Sequence, residues 1–245
     1  MGTMITLKSS TPLTAYRADP TGPIKGAVIV IHEVWGLVDH AKAVADRLAA
    51  EGFLVIAPDL LSEDVDTAAL GELQHGLFDP ERRNEIQPKL RALMTPLQDP
   101  NFDRKTIGHL LACVEYCDDL PEVHGKVGVM GFCFGGTYAI ALAAQERRIC
   151  AAIPFYGHAD QSVEELADIR CPVLAFYGEQ DERLITLLPT LTETMETAGV
   201  DFTSIVYPSC GHAFFNDTNP FAYNQVAAED AWRRSLELLN TRMPL

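Results

Sequence analysis

A short apolar run that ends in a cysteine between glycines constrains the fold of this chain more than any other stretch. Residues 127–130 are apolar, which predicts a buried strand, and the small residues after Gly136 predict a helix. Between them, Gly131-Phe132-Cys133-Phe134-Gly135 fits the pattern Gly-x-nucleophile-x-Gly, whose two glycines leave room for a very sharp strand-to-helix turn. We therefore expect Cys133 at the apex of such a turn.

A cysteine in that position has the surroundings of a nucleophile. It would lie beside the positive end of the following helix, which favours the thiolate. The backbone N–H of Phe134 would point to where a tetrahedral oxyanion forms. The alternative is a buried structural cysteine, since free cysteine is among the most buried residue types. The order of strand, turn and helix favours the nucleophile.

The rest of the chain alternates short apolar runs with segments of helical spacing. Continuous apolar runs, typical of strands covered on both faces, occur at residues 26–31, 53–57, 126–130, 150–155 and 172–177. Helical spacing follows them at residues 38–50, 102–117, 184–198 and 223–239, with a further strand at 202–207 and a short edge hairpin at 4–18. This alternation of strands and helices predicts an α/β fold with a mainly parallel central sheet and helices on both faces. In such a fold, ligands bind at the carboxyl ends of the strands.

Length and composition narrow the function further. The 245 residues fit a single domain, in which residues 61–100 read as an irregular helical segment that covers a pocket. A formal charge of −15 argues against nucleic acid or acidic membranes as partners. Scattered cysteines and the lack of a secretory signal predict a cytoplasmic protein, and no Cys/His spacing indicates a metal site. Monomer and small homo-oligomer stay open.

A cysteine nucleophile needs a base and an acid that orients the base, in the chain order nucleophile, acid, histidine. Asp181 and His212 each lie just beyond a predicted strand, and therefore at the sheet edge where we place Cys133. His158 also follows a strand end and is the rival base, although only His212 keeps the expected order. Alone, Asp181 could be a helix cap and His212 a loop residue; their joint placement with Cys133 favours a triad.

Glu33 is a further candidate at the same edge, because it follows the apolar run at residues 26–31. It is either a rim carboxylate that faces water or a hydrogen-bond partner of Cys133 or its histidine. In the second case the Val34 N–H would supply another oxyanion donor from the same loop. The residues alone leave both alternatives open.

The chain resembles the dienelactone hydrolase family, also called carboxymethylenebutenolidase-like, in four motifs that occur in the family's order. These motifs are His32-Glu-Val-Trp-Gly36, Gly131-Phe-Cys-Phe-Gly-Gly136, Gly178-Glu-Gln-Asp181 and Gly211-His-Ala-Phe-Phe215. The resemblance implies one α/β-hydrolase domain over residues 1–245. It also implies a Cys133–His212–Asp181 triad that opens an enol-lactone through an acyl-thioester, with no cofactor.

The same resemblance implies that Glu33 holds the resting thiol until substrate arrives, while the amides of Val34 and Phe134 bind the oxyanion. Members of this family hold the substrate carboxylate with two arginines, one of them four residues after the catalytic histidine. That position is Asn216 here. The second arginine should come from residues 61–100, where Arg82 and Arg83 are the candidates. A neutral amide binds a carboxylate less strongly than an arginine does, which leaves the substrate open.

These observations predict hydrolysis of a small ester or lactone through Cys133. An apolar pocket wall is expected from Trp35, Phe134, Phe214 and Phe215. The alternatives are an acyltransferase, a general carboxylesterase for an uncharged substrate, and a non-catalytic binding protein on the hydrolase scaffold. The last is disfavoured because nucleophile, acid and base are all present.

Overall fold

The architecture is a twisted sheet covered by helices, as seen in a computed structural model that describes residues 1–78 and 82–245. The described strands are β1 (Thr3–Leu7), β2 (Leu13–Ala18), β3 (Ala27–Ile31), β4 (Leu54–Pro58), β5 (Val127–Phe132), β6 (Ile149–Phe155), β7 (Val173–Gly178) and β8 (Phe202–Tyr207). The described helices are α1 (Asp39–Ala50), α2 (Thr67–Phe78), α3 (Arg83–Leu93), α4 (Pro100–Asp118), α5 (Phe134–Gln145), α6 (Val163–Leu166), α7 (Glu182–Thr197) and α8 (Gln225–Arg242).

The strands form one sheet in the order β1-β2-β4-β3-β5-β6-β7-β8. Strand β2 runs antiparallel to both of its neighbours, and the remaining pairs are parallel. The mainly parallel sheet predicted from the sequence is therefore confirmed. The predicted hairpin at residues 4–18 also forms, but only β1 lies at the edge, because β2 is inserted between β1 and β4.

The central strands are buried on both faces, which accounts for their continuous apolar sequence. In β3, Ile29 and Ile31 pack into the hydrophobic cluster on one face of the sheet, whereas Val28 and Val30 pack into the cluster on the other. The register pairs Ile31 with Gly131 on β5. The loop after β3 therefore starts beside the turn that carries Cys133.

Residues 61–100 contain α2, α3 and a short 3₁₀ helix at Thr95–Gln98. The sequence predicts two short helices here, the second interrupted by Pro88 and Pro96. In the structure α3 continues through Pro88 and ends before the 3₁₀ helix that contains Pro96. Three side chains of this segment, Leu90, Met94 and Leu97, border the cavities described below. Within the described ranges, no helix has the length and apolar character needed to cross a bilayer.

Candidate active site

Cys133 occupies the turn between β5 and α5 in a backbone conformation that is rare for a residue with a side chain. Its φ of 54° and ψ of −111° lie outside the regions that L-residues favour. The two flanking glycines make the turn possible. A Cβ on Gly131 would collide with the backbone of Gly135, and a Cβ on Gly135 would collide with the carbonyl of Ile31. The sharp turn expected from the motif is therefore present.

Phe134 follows Cys133 as the first residue of α5. The first N–H groups of a helix have no acceptor within it and carry partial positive charge. The Phe134 N–H therefore belongs to the positive end of α5, directly after the cysteine. The backbone N–H of Cys133 donates to the Phe155 carbonyl at 3.0 Å, which fixes the turn to the end of β6.

Asp181 and His212 reach this turn from the ends of β7 and β8. Asp181 caps α7, and one of its carboxylate oxygens accepts a hydrogen bond from Nδ1 of His212 at 2.5 Å. Because a carboxylate accepts, the proton of that bond sits on Nδ1. The imidazole also hydrogen-bonds to Cys133. The structure thus brings together the three residues that the sequence analysis places in a triad.

The electrostatics of the group favour a protonated histidine. Burial lowers the pKa of His212, but the charge of Cys133, together with hydrogen bonds to Asp181 and Cys133, raises that pKa above its usual value. For Asp181 the effects have the opposite signs. Burial raises its pKa, but the hydrogen bond from His212 brings this pKa below its usual value. An imidazolium held by a carboxylate is the arrangement that stabilises a neighbouring thiolate.

The rival base, His158, has a different partner. Its Nε2 lies 3.0 Å from an exposed carboxylate oxygen of Asp160. His158 does border the smaller of two cavities at this site, but its Nε2 contacts Asp160.

Glu33 is almost fully buried and is held by two neutral donors. Asn216 Nδ2 donates to one carboxylate oxygen at 2.7 Å, and the Tyr156 hydroxyl donates to the other at 3.3 Å. Burial raises the pKa of Tyr156 well above its usual value, so this residue remains a phenol that can donate. Sequence reasoning missed Tyr156, although it directly follows β6 and so lies at the edge where Asp181 and His212 were sought.

His32 fixes the loop that carries Glu33 and Val34. The backbone N–H of Leu60 donates to His32 Nε2 at 3.1 Å, so Nε2 must be the unprotonated nitrogen. The proton therefore sits on Nδ1, which donates to the Glu33 carbonyl at 2.6 Å. Burial lowers the pKa of His32, which keeps the ring neutral.

This bond orients a peptide group. The Glu33 carbonyl and the Val34 N–H belong to one trans peptide unit, in which the C=O and N–H point in opposite directions. The carbonyl is held by His32 and, at 3.2 Å, by the N–H of Gly36. The Val34 N–H consequently points away from His32. In the sequence, His32 is visible only as the first residue of a motif, which does not predict this contact.

Two cavities meet at Cys133. The larger, of about 710 Å³, is lined by Glu33, Val34, Trp35, Leu90, Cys133, Gln180, Asp181, Glu182, His212, Ala213, Asn219, Phe221 and Ala222. The smaller, of about 260 Å³, is lined by Val34, Met94, Leu97, Cys133, Phe134, Thr137, Tyr156, His158, Asp181, Arg183, Leu184 and His212. Val34, Cys133, Asp181 and His212 border both, so a molecule in either cavity would lie beside these four residues.

The predicted pocket residues divide into two groups. Trp35 lines the larger cavity and Phe134 the smaller one. Phe214, Phe215 and Asn216 are instead buried below the cavity surface. Phe214 packs at 5.7 Å from the ring of Tyr156, and so contributes to the support of the site.

The two candidate arginines lie at the start of α3. Arg82 is exposed and is not among the residues that border either cavity. The side chain of Arg83 falls outside the described part of the chain. Within the described ranges, no group of three or more His, Cys, Asp and Glu side chains is arranged to hold a metal ion.

The strand order, the cysteine at the turn after β5, and the acid and histidine after later strands define an α/β-hydrolase. The sequence model of the dienelactone hydrolase family matches residues 13–243. The chain belongs to the dienelactone hydrolase family, and it is a hydrolase that acts on esters or lactones.

Individual relatives agree with this assignment. A protein of Saccharolobus solfataricus with the provisional name carboxymethylenebutenolidase is 34% identical over 239 residues, which cover 91% of each chain. A protein of Aquifex aeolicus with the same provisional name is 30% identical, with 98% of this chain and 99% of the relative covered. The crystal structure of a provisionally named dienelactone hydrolase from Klebsiella pneumoniae has a TM-score of 0.81 at 25% identity, with 98% of each chain covered.

Proposed function

We propose that this hydrolase cleaves its ester or lactone through Cys133 and an acyl-thioester intermediate. The observation that carries the proposal is the contact of Cys133 with a histidine that is hydrogen-bonded at 2.5 Å to Asp181. In the first step, the Cys133 thiolate attacks the carbonyl carbon. The N–H groups of Val34 and Phe134 stabilise the oxyanion. Its collapse breaks the C–O bond, and His212 gives its proton to the departing oxygen.

The second step regenerates the Cys133 thiolate. Neutral His212 takes a proton from water while the water oxygen attacks the thioester carbonyl. The same two amides would stabilise the second oxyanion. Collapse breaks the C–S bond, releases the acid, and leaves Cys133 as a thiolate beside a protonated His212.

For Glu33 we propose the role that the family resemblance implies, which is to accept a hydrogen bond from the Cys133 thiol at rest, until substrate arrives and that proton passes to His212. Each oxygen of an ionised carboxylate can accept about two hydrogen bonds, and each Glu33 oxygen receives one from Asn216 or Tyr156. A second acceptor position therefore remains on each oxygen. Glu33 can therefore accept a hydrogen bond from the resting Cys133 thiol without losing its bonds to Asn216 and Tyr156.

We propose water, rather than another nucleophile, as the acceptor of the acyl group. His212 keeps 43% of its side chain exposed at the cavity, so water can reach the base. Product analysis in the presence of competing alcohols or amines tests this choice. Free acid should remain the main product, and a dominant transfer product would show an acyltransferase.

The nucleophile is tested with Cys133→Ala, and with Cys150→Ala as a control that removes a half-buried cysteine at the start of β6, the end of the strand opposite to the site. The Cys133 variant should lose hydrolysis of 4-nitrophenyl acetate while its unfolding midpoint stays close to that of the wild type. The control should stay active. Mass spectrometry of the wild type, quenched during turnover, should find the acetyl group on Cys133. Persistent activity in Cys133→Ala, or an acyl group on another residue, would refute the proposal.

A further inference from the structure

We propose that the substrate carries no carboxylate close to its scissile bond, and that the protein hydrolyses an uncharged ester or lactone with an apolar substituent. This inference rests on the hydrolysis proposed above, and it concerns the charge of the substrate rather than the chemistry of the bond. Three features of the site support it: the lack of a cationic hydrogen-bond partner of Glu33 among the described residues, the side chains that line the larger cavity, and the orientation of Asn216.

Glu33 faces the cavity as a carboxylate, and the described residues that hydrogen-bond to it include no cation. Its two hydrogen bonds come from Asn216 and Tyr156, which are both neutral. Both partners are donors, which is what an ionised carboxylate requires, because it can only accept. A substrate carboxylate bound next to Glu33 would therefore meet a like charge in a partly desolvated place.

The other charged groups of the larger cavity add to this effect. Three of its described lining residues are acidic, namely Glu33, Asp181 and Glu182, and none of those described is lysine or arginine. The positive charge of His212 is offset by Asp181 and by the Cys133 thiolate, so Glu33 and Glu182 leave the described lining of the larger cavity with negative charge. The chain as a whole carries a formal charge of −15, which disfavours the approach of anions as well.

Asn216 is oriented so that its amide nitrogen cannot bind a substrate carboxylate. Its Oδ1 accepts from the N–H and the hydroxyl of Thr218, at 3.0 and 2.6 Å. These two donors fix the amide so that Nδ2 must point to Glu33. Asn216 is fully buried and does not border the cavity. Its function in this structure is to position Glu33.

The remaining wall of the larger cavity suits an apolar group. Trp35, Leu90, Ala213, Phe221 and Ala222 line it. Apolar surface of this kind gains free energy when it is removed from water, and it requires no charge on the ligand. An uncharged ester or lactone with a hydrophobic substituent therefore matches both the charge and the surface of the site.

The test uses substrate pairs of equal shape that differ in charge. One pair is 4-acetoxybenzamide and 4-acetoxybenzoate, and the second is the carboxamide of dienelactone and dienelactone itself. We expect kcat/KM to be at least about tenfold higher for the neutral member of each pair, equivalent to about 1.4 kcal/mol. The difference should shrink as salt is added, because salt screens the repulsion.

Two substitutions on one helix locate the cause. Glu182→Gln removes a charge at the cavity and should reduce the neutral-to-anionic ratio. Glu196→Gln makes the same change 14 residues further along α7, about 21 Å away at 1.5 Å per residue, and should leave the ratio unchanged. Equal effects of the two substitutions would contradict the proposed role of the cavity charge.

A second readout does not depend on turnover. Iodoacetamide and iodoacetate are similar in size and alkylate the same thiol, but only iodoacetate is anionic. After normalisation to a small free thiol, Cys133 should react at least about tenfold faster with iodoacetamide, again about 1.4 kcal/mol. A preference for iodoacetate, or for the carboxylated substrates, would overturn the inference. Arg183→Ala, at the smaller cavity, together with Arg82→Ala and Arg83→Ala, would then show which cation attracts the anion.

The experiment separates this inference from the proposed mechanism. If Cys133→Ala loses all activity and the wild type prefers the carboxylated substrates, the mechanism stands and the inference about charge is wrong. If Cys133→Ala remains active on either pair, the mechanism itself is wrong.

Discussion

The contact between His32 and the Glu33 carbonyl leads to the sharpest prediction about catalysis. Two substitutions of His32 each remove one of its two hydrogen bonds and can keep the other. The amide nitrogen of asparagine can take the place of Nδ1, so His32→Asn can keep the donor to the Glu33 carbonyl and lose the acceptor for Leu60. The amide oxygen of glutamine can take the place of Nε2, so His32→Gln can keep the acceptor and lose the donor.

The expected magnitudes follow from the two hydrogen bonds on that carbonyl. His32 Nδ1 lies at 2.6 Å and the Gly36 N–H at 3.2 Å, so His32→Gln removes the shorter bond and leaves the longer. A net loss of roughly 1 kcal/mol in the orienting energy lets the Val34 N–H turn from the oxyanion position, about a fivefold loss in rate. The full loss of an oxyanion donor, roughly 10²- to 10³-fold in kcat, is the upper limit.

His32→Asn should show the opposite pattern. It leaves the buried N–H of Leu60 without its acceptor, at a cost of roughly 1–3 kcal/mol in the free energy of unfolding. Its kcat should stay close to that of the wild type. The expected result is thus a catalytic defect in His32→Gln and a stability defect in His32→Asn.

Single-turnover acylation with a 4-nitrophenyl ester and urea unfolding measure the two quantities separately. A role of His32 in positioning Val34 predicts a lower acylation rate with little change in substrate binding for His32→Gln. Equal acylation rates in the two variants would refute the reasoning, because a purely structural His32 would affect both through stability alone. A larger rate loss in His32→Asn would refute it as well.

Two further predictions concern the triad and the turn. Asp181→Asn removes a charge that, against the effect of burial, helps to raise the pKa of His212, so the alkaline limb of kcat/KM should move to lower pH. Asp160→Asn, which removes the partner of His158, is the control and should leave that limb in place. Gly131→Ala should lower the free energy of unfolding by roughly 1–3 kcal/mol or more, because its Cβ meets backbone atoms. Gly108→Ala, inside α4 with open space around it, should raise that free energy by roughly 0.5–1 kcal/mol in urea titrations, and equal effects of the two would contradict the steric argument.

The parts of the site that could be predicted from the sequence depend on backbone topology. In a parallel sheet, residues that directly follow strands share one edge, so strand patterns alone bring Cys133, Asp181 and His212 together. The role of the glycines around Cys133 can be predicted for a similar reason, because the sharp turn excludes side chains from neighbouring positions in the sequence. These features need no knowledge of which side chains meet across the interior.

The support of Glu33 could not be predicted in the same way. Its partners Asn216 and Tyr156 are 183 and 123 residues away along the chain. Their contact depends on how two loops pack beneath the cavity, and no periodicity in the sequence reports such packing. The family resemblance therefore placed Asn216 at the substrate, because it lies four residues after His212, whereas in the structure the amide is buried and bonded to Glu33.

The two loop contacts together explain how the site can hold one mobile proton. The proposed mechanism moves a proton among Cys133, His212 and the reacting oxygen, and any other group that exchanged protons there would disturb it. His32 is fixed as one neutral tautomer by an acceptor and a donor, and Glu33 is bound by donors that remain neutral. The chain thus places beside Cys133 and His212 two polar groups whose protonation is set by their partners, and it leaves His212 open to the cavity, where it can exchange its proton.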